Sequence, residues 1–369
     1  MNAMIPHQVT TKKNGVHFYW LDLIRFIAAF LVVMCHFRGA FLPEFTNLPV
    51  EQQTPLVFIC YALTRLGHEA VLIFFVLSGF LVGGRAIEKS RQGTFDVRNY
   101  AIDRFIRIML PLISALLLFI PKEIICGNEI MWKDWMGCLF SLQGIWTGAC
   151  IEPLWSLSYE VWFYILTGAT FTVLCKVDRK SKVIGTIVLV ICFLVFTKLQ
   201  THYLFIWLLG AVAYVTMPKQ YNKWVLLGCI ILLPVMITVL QLTSGGHITS
   251  SLTAYLPTQN RYSLEVIYSV VCCIILQQIV LMKPHTKIAY KVNSIGTSLA
   301  GFSYTLYLTH VLVMRIQEHF GAVRAATLNN VSILLYLFYT LIALLVCYGV
   351  YLCCERHTYT VKNWVKNRV

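Results

Sequence analysis

Apolar positions in this chain fall into long unbroken runs, and the polar residues gather between them. Ten runs can be laid out, over residues 18–38, 66–86, 104–121, 154–175, 183–198, 202–217, 223–242, 263–282, 298–316 and 331–353. A hydrocarbon core about 30 Å thick is crossed by about 20 apolar helical residues. The pattern therefore predicts an all-α bundle of about ten transmembrane helices, in which the fifth and sixth runs are the shortest. Residues 132–146 form a further apolar stretch, short and flanked by charge, expected to lie at the interface or to be re-entrant. Polar residues 1–16 lead directly into a full-length run with no small-residue cleavage site, so no cleaved signal peptide is expected. With no internal repeat and no low-complexity tract, residues 1–369 read as one transmembrane domain without an appended soluble domain.

Composition agrees: 58% of the 369 residues are hydrophobic and 12% are charged, about half the charge of a soluble domain. The formal net charge of +14 raises the question of nucleic acid, but the distribution of the cations answers it. The N-terminus, residues 85–107, 176–182, 219–223 and 283–291, and the C-terminus carry 21 of the 30 Lys and Arg; the opposite connections carry eight. Alternation of this kind follows the positive-inside rule. It predicts a multi-pass membrane protein with cytoplasmic termini and no nucleic-acid partner. Most of the thirteen cysteines lie inside apolar runs, and Cys272-Cys273 and Cys353-Cys354 lack metal-ligand spacing, so no metal is expected. Cys126 and Cys150 share the longest outer connection, 122–153, where an oxidising compartment would permit a bridge. Free thiols are the expected state.

Polar side chains within apolar runs are costly and point to function. Asp22, Arg25 and His36 occupy the first run. Arg25 and His36 are eleven residues apart, within about 20° of three whole turns, so they share a face, about 16 Å apart along the axis. The competing reading makes them helix-end anchors. Phe74-Phe-Val-Leu-Ser78-Gly79-Phe-Leu81 places small residues where another helix can approach, which usually means packing. Arg104 and Arg107 share a face at the start of the third run, a pair suited to phosphate unless they merely anchor topology. Trp155-Ser156-Leu-Ser-Tyr-Glu160-Val-Trp-Phe-Tyr164 sets Ser156, Glu160 and Tyr164 on one stripe. Ser303, Tyr307 and His310 do the same in the ninth run.

On the predicted topology, arginines lie at the cytoplasmic mouth, and His36, Glu160 and His310 lie toward the outer side. A phosphate-bearing donor can be gripped inside while a group is delivered outside. His36 is then the general base, with Glu160 orienting it as carboxylates do in nucleophile–His triads. No Gly-x-Ser-x-Gly elbow, His-Glu-x-x-His, P-loop or Rossmann fingerprint accompanies these groups. A transporter or flippase is the alternative, the same buried charges serving substrate or proton relay; the absence of tandem halves weighs against it.

The motifs Arg25-x10-His36, Phe75-Val-Leu-Ser-Gly-Phe80, Arg104-Phe-Ile-Arg107-Ile, Leu154-Trp-Ser-Leu-Ser-Tyr-Glu160 and Ser303-Tyr-Thr-Leu-Tyr-Leu-Thr-His310 stand in this order. The chain thus resembles the acyltransferase-3 family of integral membrane acyltransferases over nearly all of its length. The resemblance implies transfer of an acyl group, usually acetyl, from acyl-coenzyme A to a hydroxyl of an envelope glycan or glycolipid. It implies His36 as catalytic base, Glu160 as the acid of a Trp-Ser-Leu-x-x-Glu motif, and Arg25, Arg104 and Arg107 as donor-binding residues. Supporting roles fall to Asp22, Ser78, Trp155, Ser156, Tyr164, Ser303, Tyr307 and His310. One departure is visible: the family often carries Glu-x-Pro after the last span, where this chain reads Glu355-Arg-His.

Overall fold

The structure, a computed structural model, describes residues 18, 20–175, 178–243 and 261–368. Among these residues the secondary structure is helical, with a single isolated bridge between Gln143 and Thr147. The first helices are α1 (Leu21–Phe41), α2 (Pro55–Thr64), α3 (Gly67–Ser78), α4 (Arg85–Arg91) and α5 (Val97–Cys126). They are followed by α6 (Trp132–Leu139), α7 (Trp155–Leu174), α8 (Arg179–Phe196), α9 (Thr201–Val215) and α10 (Lys223–Thr243). Beyond lie α11 (Arg261–Leu281), α12 (Lys287–Ala300), α13 (Ser303–His319), α14 (Asn330–Cys353) and α15 (Thr358–Arg368).

All ten apolar runs fall on helices, because a chain in hydrocarbon must satisfy its backbone polar groups internally. Their starts are chemically marked. Asp96 accepts from the Asn99 N–H at 3.0 Å at the head of α5, Asp178 from the Ser181 N–H at 3.0 Å at α8, and Asn329 and Ser332 close a capping box on α14. Gly127, with φ 69°, ends the 30-residue α5 in the left-handed turn that glycine adopts without cost.

Among the described residues six helical segments are long and apolar enough to cross a membrane, or seven if α12 and α13, bent by 55° at Gly301-Phe302, count as one. The expected ten is therefore reached only by including α7, α8 and α9. Each falls short for a visible reason. Glu160 and five Ser and Thr residues dilute α7, three cations crowd the first four residues of α8, and α9 has only 15 residues. The connection 39–65 between the first two apolar runs holds α2, which begins on a Thr54 cap with Pro55 in the first turn. Residues 132–139 make the expected short helix. All thirteen cysteines are free thiols; Cys126 lies against the Arg315 carbonyl, while the Cys150 N–H donates to Cys138 Sγ, so the one candidate bridge is not made.

Helix α1 is the spine, packed against α3, α12, α13 and α14. The second run is one continuous rod in which α3 and α4 are joined by a π-helical turn at Gly79–Gly84. There α9 presses in so closely that a Cβ at Gly79 would lie 1.9 Å from the Trp207 carbonyl oxygen, and one at Gly210 2.2 Å from that of Val76. Backbone, not a flexible side chain, is what a methyl would strike. Replacing Gly79 with Leu is expected to cost at least about 3 kcal/mol, read as a collapsed fluorescence-detected gel-filtration profile after mild heating; an unchanged profile would refute the packing.

Candidate active site

Two cavities share one set of guanidinium groups. The first, of about 100 Å³, is enclosed by α1, α3, α5, α7 and α13 and lined by Arg25, Arg104, Arg107, Ser78, Glu160 and Tyr164, with Ser156, Ser303 and Tyr307 at other points of its wall. The second, of about 400 Å³, opens beside α15 and contains the same three arginines together with Arg356 and Lys362, against the carboxylates of Asp22, Asp103 and Glu355. Five cations thus face three anions. Those anions are already engaged: Asp22 with Arg25 at 3.2 Å, Asp103 with Lys362 and Lys366 at 2.9 and 2.8 Å, and Glu355 accepting from the Thr305 N–H at 2.9 Å. Among the described residues Arg104 and Arg107 make no ion pair, and Arg104 Nε is buried without a hydrogen-bond partner. The Arg104 guanidinium instead lies between the rings of Tyr100 and Tyr164, 5.9 and 5.5 Å from their centroids.

The inner cavity has a polar wall. Ser78 Oγ donates to the Tyr164 hydroxyl at 3.2 Å and accepts from Trp207 Nε1 at 3.1 Å, and Tyr164 in turn donates to Glu160. The Tyr304 hydroxyl, also on this wall, is buried without a partner among the described residues. At the far end, the Tyr307 hydroxyl and Ser156 Oγ hydrogen bond at 2.6 Å, and both reach the Pro153 carbonyl, at 2.9 and 3.4 Å. Phe74 packs edge-on against the same ring.

His36 lies outside this cavity. Its ring is 5.0 Å from that of His310, whose other neighbour is Tyr307 at 6.3 Å. The hydrogen bonds fix the tautomers. His310 Nδ1 is 2.9 Å from the Leu306 carbonyl oxygen, which can only accept, so Nδ1 carries the proton. His310 Nε2 then has a bare lone pair, and His36 Nδ1, 2.9 Å away, must donate to it. His36 Nε2 is left as the free base. His36 is half-buried, and the Glu152–Arg315 ion pair, at 3.2 Å, lies within electrostatic reach of it.

The geometry thus divides the residues singled out in the sequence. Arg25, Arg104, Arg107, Ser78, Ser156, Glu160, Tyr164, Ser303 and Tyr307 meet at one cavity, with Asp22 at its mouth. Glu160, expected beside His36, hydrogen bonds to Tyr164, and the ring against His36 is that of His310. Trp155 packs with Phe75, Tyr159 and Tyr203 beside His68, away from the cavity lining. Sequence reasoning missed Tyr304, Lys362 and the place of Glu355. It also passed over a carboxylate 1% exposed, Glu265, which accepts from His68 Nε2 at 2.8 Å, His202 Nε2 at 2.9 Å and Arg261 Nε at 3.0 Å and so ties α3, α9 and α11 together. Its signal was available, since Glu265 and His68 both stand inside apolar runs.

A family model described as an acyltransferase domain matches residues 18–352. The acyltransferase MdmB of Streptomyces mycarofaciens is 28% identical over 165 residues, which are 43% of this chain and 40% of that relative's length. No solved structure matches. Nitrogen-15 spectroscopy of histidine-labelled protein should find His36 protonated at Nδ1 and bare at Nε2 when neutral; the opposite tautomer would refute the hydrogen-bond chain.

Proposed function

The chain belongs to the acyltransferase-3 family, a family of membrane acyltransferases, and from that premise we propose that it is an O-acyltransferase using cytoplasmic acyl-CoA, with acetyl the group transferred. The observation that carries this reading is the pair Arg104 and Arg107, two guanidinium groups at a cavity mouth where cations outnumber carboxylates and where neither forms an ion pair among the described residues. Arg104 is partly buried and Arg107 exposed at the mouth, and a ligand with several phosphates suits such a pair, since guanidinium binds phosphate oxygens two at a time. Arg25 is the third cation of the set. Glu160 and Ser78 supply a polar wall for the amide groups of a pantetheine arm. An inner cavity of only about 100 Å³ favours a short acyl group.

In the proposed reaction the acceptor approaches His36 from the side of Glu152 and Arg315. His36 Nε2 takes the hydroxyl proton as the oxygen attacks the thioester carbonyl carbon, and His310, accepting from Nδ1, steadies the imidazolium that forms. The C–S bond then breaks, and the departing thiolate takes the proton back from Nε2, leaving an ester and free coenzyme A. Because Tyr307 and Ser156 close the inner cavity beside the His310 ring, delivery requires their hydrogen bond to open. The acceptor we favour is a hydroxyl of an envelope glycan or glycolipid. The remaining helices α7, α8 and α9 complete a ten-span bundle in this reading, with both termini cytoplasmic.

With purified protein, Arg104→Ala combined with Arg107→Ala should weaken coenzyme A binding at least about tenfold, two charge-assisted contacts being lost. Calorimetric titration reads this directly, and unchanged affinity would return the arginines to the role of topology anchors. His36→Ala should keep coenzyme A affinity and lose about a thousandfold in turnover, measured as thiol release in the presence of acceptor glycans. Turnover at the wild-type rate would remove His36 from the chemistry.

A further inference from the structure

A further cavity lies neither at the arginine mouth nor beside His36. It is a lateral groove of about 790 Å³ between α5, α7 and α8, closed at one end by Leu139, Phe140 and Ser141. Its floor is kept open by small residues, Ala101, Gly168, Ala169 and Gly185. Along α5 it runs from Val97 to Met109, about 18 Å at 1.5 Å per residue, close to half of a hydrocarbon core about 30 Å thick. Phe105 and Ile184 on its rim are 65% and 61% exposed, so it opens toward the lipid.

Charge marks the other end. Val97 and Ser181 line the groove there, and their chain neighbours are Arg98, Arg179, Lys180 and Lys182, all exposed and none in an ion pair among the described residues. The two nearby carboxylates, Asp96 and Asp178, are held as helix caps by Asn99 and Ser181. An apolar slot as long as one leaflet, with a cationic rim, has the complementarity of a single lipid: chain in the slot, anionic headgroup on the rim.

We propose that this groove is a binding site for an anionic phospholipid. The chain would lie against the back of Arg104, Ile108 and Tyr164, the three residues that line both the groove and the inner cavity. The site thus braces Arg104 from the lipid side, while its occupation depends only on the groove and its rim, not on what reaction the protein performs.

The test reconstitutes the full chain in vesicles of equal parts phosphatidylcholine and phosphatidylglycerol, then counts retained lipid by native mass spectrometry. Wild-type protein should retain phosphatidylglycerol in preference to phosphatidylcholine. Ile184→Trp fills the groove from an exposed position and should abolish retention, whereas Ile187→Trp, exposed on the same helix but outside the groove, should leave it intact. Combined Arg98→Gln, Arg179→Gln and Lys182→Gln should erase the headgroup preference, each cation being worth about fivefold. Equal retention of the two lipids by wild type, or undiminished phosphatidylglycerol on Ile184→Trp, would overturn the proposal.

Discussion

A guanidinium group packed among apolar helices must be paired, hydrated or bound to a ligand, and this constraint organises the site end of the molecule. Arg25 meets it with Asp22, and Asp103 is drawn off by Lys362 and Lys366 of the last helix. Arg104 and Arg107 remain, one of them sandwiched between tyrosine rings. The helices around them can be this close only because α9 meets the second rod backbone to backbone at Gly79 and Gly210, a contact that also lets Trp207 reach Ser78 and fix the polar wall. Packing and charge are therefore one problem here: the small residues set the spacing, and the spacing leaves two cations lining a cavity without an ion pair among the described residues.

Helix α1 connects the two halves of the proposed chemistry. Its Arg25 belongs to the cavity and its His36 to a separate pair with His310, one turn beyond the Tyr307 ring that closes the cavity. The spacing of eleven residues makes both point toward α13, and the structure interposes Tyr307, Ser156 and Phe74 between the cavity and the histidines. Two His rings in contact also settle each other's tautomers through the Leu306 carbonyl, leaving a basic nitrogen on His36 without a carboxylate partner among the described residues.

Much of this was legible in the sequence because it rests on periodicity. Apolar run lengths located the helices, and i, i+4 stripes put Ser156, Glu160 and Tyr164 on one face. What needed three dimensions was pairing across helices. Spacing places Glu160 at a depth near His36 but carries no information on rotation, and Glu160 turned to Tyr164 while His310 took its place. The α12–α13 bend was missed because run lengths do not report an angle. The chain departs from the family's Glu-x-Pro at Glu355-Arg-His, yet the Glu355 carboxylate accepts from Thr305 at the cavity mouth, a contact that depends on the glutamate and not on a proline.

The central claim is that an acyl group crosses from a donor held by the arginines to a hydroxyl activated by His36. The most direct measurement supplies cells with isotope-labelled acyl precursor and compares envelope glycans by mass spectrometry. The comparison sets cells expressing the wild-type protein against cells with equally abundant, folded His36→Ala. The account predicts a labelled acyl mass shift on a glycan or glycolipid with the wild-type protein and none with the variant. A shift of the same size in both would contradict it.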